Sequence, residues 1–150
     1  MQSSAGLDMP TRSGLISLLQ QTRTSATLYE AGAKKQGKAF PFMAFARTER
    51  RHERLLVDAL KRARIAPPSP PKVVIASELS PLLKQALLQE KETLSEAERC
   101  LGFIKQRELV DLLMVIKLTS RDEHLPLLKK KAGEAPLHPS KAEIQRLRGR

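Results

Sequence analysis

The sequence predicts an all-α protein: a four-helix bundle of two antiparallel hairpins joined by a long proline-rich crossover. Apolar residues recur at intervals of three and four through four segments, and Val73-Val74-Ile75 is the one short β-like run. Two connections, around Gly37 and around Gln106, are short, and short connections make antiparallel neighbours. The third is long and carries Pro67, Pro68, Pro70 and Pro71. With 150 residues, the chain suits one domain with a proper core.

The first helix is expected from about Thr11 to Gln36, with Thr11 or Ser13 as N-cap and Gly37 as its stop. Its stripe is Leu15, Leu18/Leu19, Thr22, Ala26, Tyr29 and Ala33. The second runs from near the first-turn proline Pro41 to about Arg64. Its stripe is Phe42, Phe45, Glu49, His52, Leu56, Ala59/Leu60 and Ala63. Ser80-Pro81 marks the third start, followed by Leu83, Leu87, Glu90, Leu94, Ala97, Leu101 and Ile104. The fourth begins near Glu108 and places Leu109, Leu113, Ile116, Ser120, His124 and Leu127 on one side. Pro126 removes a backbone donor inside that pattern, so a kink or an end is expected there.

The crossover, Ile65 to Leu79, reaches roughly 45 Å at about 3.1 Å per residue of extended proline-rich chain. A helix of about 24 residues is ~36 Å long, so the crossover can run the full length of the bundle. Two hairpins with one long crossover is a ferritin-like arrangement. The expected organisation is a flexible N-terminus (1–10), the bundle (11–131) and a basic, flexible C-terminal tail (132–150).

The 41% of hydrophobic residues is globular rather than disordered. A lone Cys100 excludes a disulfide scaffold and a Cys-rich zinc module, and suggests a reducing compartment. No apolar run approaches the ~18 residues that span a bilayer, and the start lacks signal-peptide features. A basic cytoplasmic protein with no membrane partner is expected.

Glu49, His52, Glu90 and His124 fall among Leu, Phe and Ala on the buried faces. A buried unpaired carboxylate costs several kcal/mol, so such groups need a cation, a hydrogen-bond partner or water. Glu49 and His52 have the i, i+3 spacing that points both side chains the same way. Glu90 and His124 lie at similar distances either side of the turn near Arg107, hence at similar height. All four can converge near the bundle middle, where carboxylate and imidazole together suit Fe, Mn or Zn.

Three stretches then resemble rubrerythrin-type members of the ferritin-like superfamily. They are Ala33-Lys-Lys-Gln-Gly37 with Phe45-Ala-Arg-Thr-Glu49-Arg-Arg-His52-Glu-Arg-Leu, then Leu83-Lys-Gln-Ala-Leu-Leu-Gln-Glu90, then Ser120-Arg-Asp-Glu-His124-Leu. The resemblance implies a di-metal site, with one Glu from each of helices one and three and a Glu-x-x-His pair from each of helices two and four. Glu49, His52, Glu90 and His124 match that pattern. Helix one departs from it, with Gln20-Gln21-Thr22 where the acid should stand, so that Gln21 takes the missing ligand's place. Helix four departs too, with Arg121 three residues before His124. Glu30 is the one acid on helix one that could substitute, about a turn too near the hairpin loop.

Two lost carboxylates remove about two negative charges, and Arg121 adds a fixed positive one. The expectation is therefore a degenerate di-iron site without cofactor, in which Arg121 bridges Glu49 and Glu90 in place of metal. The alternatives are one Fe, Mn or Zn ion held by Glu49, His52, Glu90 and His124, or an active di-iron oxidoreductase or iron-handling protein. The favoured role is non-catalytic, as a structural or interaction protein with an unidentified protein partner or a second copy of itself. Tyr29 is read as a core residue or a hydrogen-bond partner at the same depth, and Cys100 as a spectator off the central stripe.

Positive charge is plentiful, with 27 Lys+Arg against 16 Asp+Glu and a net +11. Residues 129–150 hold seven basic residues against Glu134 and Glu143, which offers nonspecific contact with nucleic-acid phosphates as a further alternative. Only 3% of residues are aromatic, which argues against recognition by base stacking.

Overall fold

The computed structural model describes residues 6–37 and 40–134. It is an all-α bundle, and among the described residues no strand forms. Helix α1 spans Met9–Gln36, α2 Phe42–Arg62, α3 Leu79–Leu101 and α4 Arg107–Leu118; a π-helical turn, Thr119–His124, then leads into α5, Leu125–Glu134.

Asp8, not Thr11 or Ser13, caps α1: its carboxylate accepts the Thr11 N–H at 2.8 Å, and Pro10 occupies the first turn. Met9 and Pro10, expected in a flexible N-terminus, therefore belong to α1. Gly37 ends α1 with φ +62°, a conformation open to glycine without steric cost. At the end of α2, Arg64 takes φ +61° and the Ile65 N–H bonds back to the Leu60 carbonyl at 2.9 Å. That is the glycine-type stop of a Schellman turn, made here by an arginine. Helix α3 starts at Leu79 after Glu78, slightly before the expected Ser80-Pro81 signal.

Helix α1 packs against α2 and α3, α3 against α4 and α5, and α4 touches α2. Two glycines mark the close approaches. A Cβ on Gly14 would lie 2.6 Å from Cys100 Sγ, and one on Gly32 would lie 2.9 Å from the Phe42 ring. The start of α1 thus lies beside the end of α3, and the end of α1 beside the start of α2.

Residues 65–78 link α2 to α3 without regular structure, held by side chains. Arg23 and Gln20 of α1 donate to the Pro68 and Ser69 carbonyls, each at 2.7 Å. Further on, Gln85 of α3 donates to the Val74 carbonyl (2.7 Å) and accepts the Ala76 N–H (2.9 Å). Arg23, itself buried, is held in turn by Glu53 at 2.9 Å.

The core has two parts. One is aliphatic, with Leu15, Leu18, Leu19, Leu56, Leu60, Leu113 and Ile116 at its centre. Cys100, expected off the central stripe, is fully buried in it, and burial pushes its thiol up to about 11. The other part is aromatic, with Tyr29, Phe40, Phe42 and Phe45 packed on Leu83 and Leu128. Residues 135–150, which hold most of the expected basic tail, lie outside the described residues, whereas 132–134 belong to α5.

Candidate metal centre

Three side chains from three elements meet beside the aromatic core. His124 Nδ1 lies 3.2 Å from Glu49 Oε2 of α2 and 3.2 Å from Glu90 Oε1 of α3. All three residues are essentially sealed from solvent, at 1% exposure or less. Tyr29 of α1 donates to Glu90 Oε1, and Ser120 donates to Glu90 Oε2, so both oxygens of Glu90 are engaged. Phe45 stacks on the His124 ring with centroids 4.0 Å apart, and Tyr29 meets both rings edge-on.

The π turn explains which residues of the fourth segment point inward. Its bonds run from i to i+5, as in Leu125 N–H to the Ser120 carbonyl, which widens the turn. Pro126, lacking an N–H, cannot continue the ordinary ladder, and the change of register falls immediately before it. In the widened turn Ser120, four residues before His124, shares its buried face, whereas Arg121, three before, does not.

Arg121 therefore departs from expectation. It is exposed and pairs with its neighbour Asp122 at 2.7 Å, and it bridges neither Glu49 nor Glu90. Glu30 likewise stays at the surface, paired with Arg50 at 2.8 Å. Gln21, expected to stand in place of a helix-one ligand, reaches back along α1 to Ser17 at 3.5 Å. His52 is buried beside the centre. Ser120 and Ser25 are buried groups that the sequence reading left without a role; the i, i+4 spacing of Ser120 and His124 was the available signal for the first.

The electrostatics follow from burial and pairing. Burial alone would lower His124, but its hydrogen bonds to Glu49 and Glu90 prevail and push it up to about 9. Burial drives Glu49 up to about 7 against the pull of His124. Glu90, despite its burial, stays below the usual carboxylate value because His124, Ser120 and Tyr29 all bond to it. Burial and the charge of His124 hold His52 down to about 4, so it is neutral at neutral pH. Without a metal, an ionised Glu90 and a protonated His124 balance each other.

The donor set also suits a cation. One ligand atom each from Glu49, Glu90 and His124 lies within 4.8 Å of the others. Glu49 Oε1 and His52 Nδ1 are buried with no hydrogen-bond partner, as are Gln21 Oε1, Thr22 Oγ1 and Ser25 Oγ. Each such group costs about 1–3 kcal/mol if left unsatisfied. Two carboxylates and an imidazole in a dry interior fit one divalent transition ion, with His52 adjacent as a further nitrogen donor. They do not neutralise two such ions, which would leave about two positive charges buried without partners.

Among the described residues, no helix is long and apolar enough to cross a membrane. No family model matches the sequence, and the comparison with curated proteins found no match.

Proposed function

We propose that the protein is a ferritin-like bundle whose di-metal site has been reduced to a single-ion centre, and that it serves as a structural or interaction protein rather than a di-iron oxidoreductase. The observation that carries this reading is the convergence of two carboxylates and one imidazole, each essentially without solvent exposure, within 4.8 Å. Iron, manganese and zinc all suit that donor set. The helix contacts are compatible with the ferritin-like class. Tyr29 of α1 meets Glu90 of α3 while Gly14 of α1 faces Cys100 of α3, an antiparallel pairing that supports a connector running between the two hairpins.

Metal analysis tests the proposal directly. Metal-stripped protein incubated with Fe2+, Mn2+ or Zn2+ and then desalted should retain one ion per chain, and Glu90→Gln should retain none. Two ions per chain would restore the di-iron oxidoreductase reading. No retained ion with any of the three metals would leave the His124-centred proton pair as the whole content of the site.

A further inference from the structure

The two sides of the centre are satisfied unequally. On the α3 side, both oxygens of Glu90 are bonded. Toward α1 and α2, Thr22 Oγ1, Ser25 Oγ, Glu49 Oε1 and His52 Nδ1 are all buried without partners. The two hydroxyls contrast with three other helical threonines. Thr24, Thr48 and Thr93 each return their hydroxyl to the carbonyl one turn back on their own helix, at 2.9, 3.1 and 3.0 Å. Thr22 and Ser25, more deeply buried than Thr24 or Thr48, do not. Their spacing with Tyr29 (i, i+3, i+7) puts all three on one stripe of α1, and the Tyr29 hydroxyl on that stripe reaches Glu90.

We propose that this face is a built subsite for a water-sized, hydrogen-bonding ligand of the bound ion, formed by the Thr22 and Ser25 hydroxyls together with His52 Nδ1. The inference rests on the one-ion reading. With Glu49, Glu90 and His124 as its three ligands, a tetrahedral ion would keep one position open, and His52 Nδ1 would then bond to the ligand in that position rather than to the ion. Tyr29 and Ser120 engage both oxygens of Glu90, whereas the unpartnered atoms of Thr22, Ser25, Glu49 and His52 all belong to α1 and α2, so a fourth ligand of the ion would find its hydrogen-bond partners there. Because Glu49 and Glu90 already balance a divalent charge, the resident ligand is neutral, namely water. A small anion can displace it, because the two hydroxyls are donors able to meet its charge. Larger ligands are excluded, since Thr22, Ser25, Glu49 and Glu90 are each at most 1% exposed.

The test uses the full chain loaded with one equivalent of Co2+ and titrated with azide, followed by visible absorption. A saturable one-to-one spectral change is expected. The double variant Thr22→Val with Ser25→Ala should still take up one Co2+ but bind azide roughly tenfold to a hundredfold more weakly, the usual effect of losing groups that support a metal ligand. Thr22→Ser, which keeps a hydroxyl, should bind azide within a few-fold of the parent. If the double variant does not fold, Ser25→Ala alone should weaken azide several-fold. Co2+ uptake with no azide response, or equal azide affinity in parent and variants, overturns the subsite and leaves the one-ion reading standing. Failure to take up Co2+ overturns both.

Discussion

The aliphatic and polar parts of the bundle are built on the same helices and solve the same packing problem in opposite ways. Around Leu18, Leu56, Leu60 and Leu113, side chains leave water without needing a partner, and stability accrues with the apolar area removed. Around Glu49, Glu90 and His124, each buried group is tolerated through what it touches. The first arrangement is forgiving of chemistry and strict about volume. The second is strict about partners: it costs stability unless its bonds are made.

The sharpest way to separate them is to remove one partner. In metal-free protein, Glu90→Gln removes the negative charge that faces His124 and replaces one of the two acceptor oxygens engaged by Tyr29, Ser120 and His124 with a donor, and should cost about 3–5 kcal/mol, as for other broken buried ion pairs. Urea denaturation measures this, and a cost below about 1 kcal/mol would deny that the pairing is tight. In the aliphatic part, Leu18→Ala should cost about 2–5 kcal/mol through lost burial and the cavity left behind. That loss should be the same with and without metal, whereas the Glu90→Gln deficit should widen when Zn2+ is added, because only the parent gains from binding.

A gentler probe is pH. His124, raised from 6.5 to about 9 by its partners, contributes stability that is complete below pH 6.5 and is lost as pH rises through 9. Glu49, raised from 4.5 to about 7 by burial, acts in the same direction, since folding favours its protonated form. His52, lowered to about 4, works the other way and removes stability as pH falls from 6.5 toward 4. The urea midpoint of metal-free protein should therefore decline steadily between pH 7 and 9. Saturating Zn2+ should oppose that decline, because the ion requires a deprotonated His124. A flat metal-free profile would mean that His124 carries no extra proton. The smallest effect is expected from Arg121→Ala, which should leave both the unfolding midpoint and the metal stoichiometry unchanged, since the guanidinium lies in solvent against Asp122.

Much of this architecture could be read from residue spacing. Intervals of three and four placed Glu49, His52, Glu90 and His124 among core residues, because helical periodicity is a local property that a sequence carries openly. Arg121 shows where that reading ends. A regular helix would bring position i−3 near His124, but the i to i+5 turn substitutes position i−4, and so Ser120. Pro126 signalled a disturbance without giving its form. The connector's fastenings were also hidden. Arg23, Gln20 and Gln85 grip backbone carbonyls, two of them across more than forty residues, and no periodic pattern encodes a side chain bonded to remote main chain. The N-terminal boundary was missed for a simpler reason. Asp8 caps a helix that begins with Met9 and Pro10, before its first apolar stripe position.

The long connector has a consequence for how tightly the two halves of the chain are tied. Glu49 precedes it, while Glu90 and His124 follow it, so on the one-ion reading the metal staples one hairpin to the other. Such a staple closes a large loop in the unfolded chain and restricts its freedom as a disulfide would, in a protein whose single cysteine can form no internal disulfide.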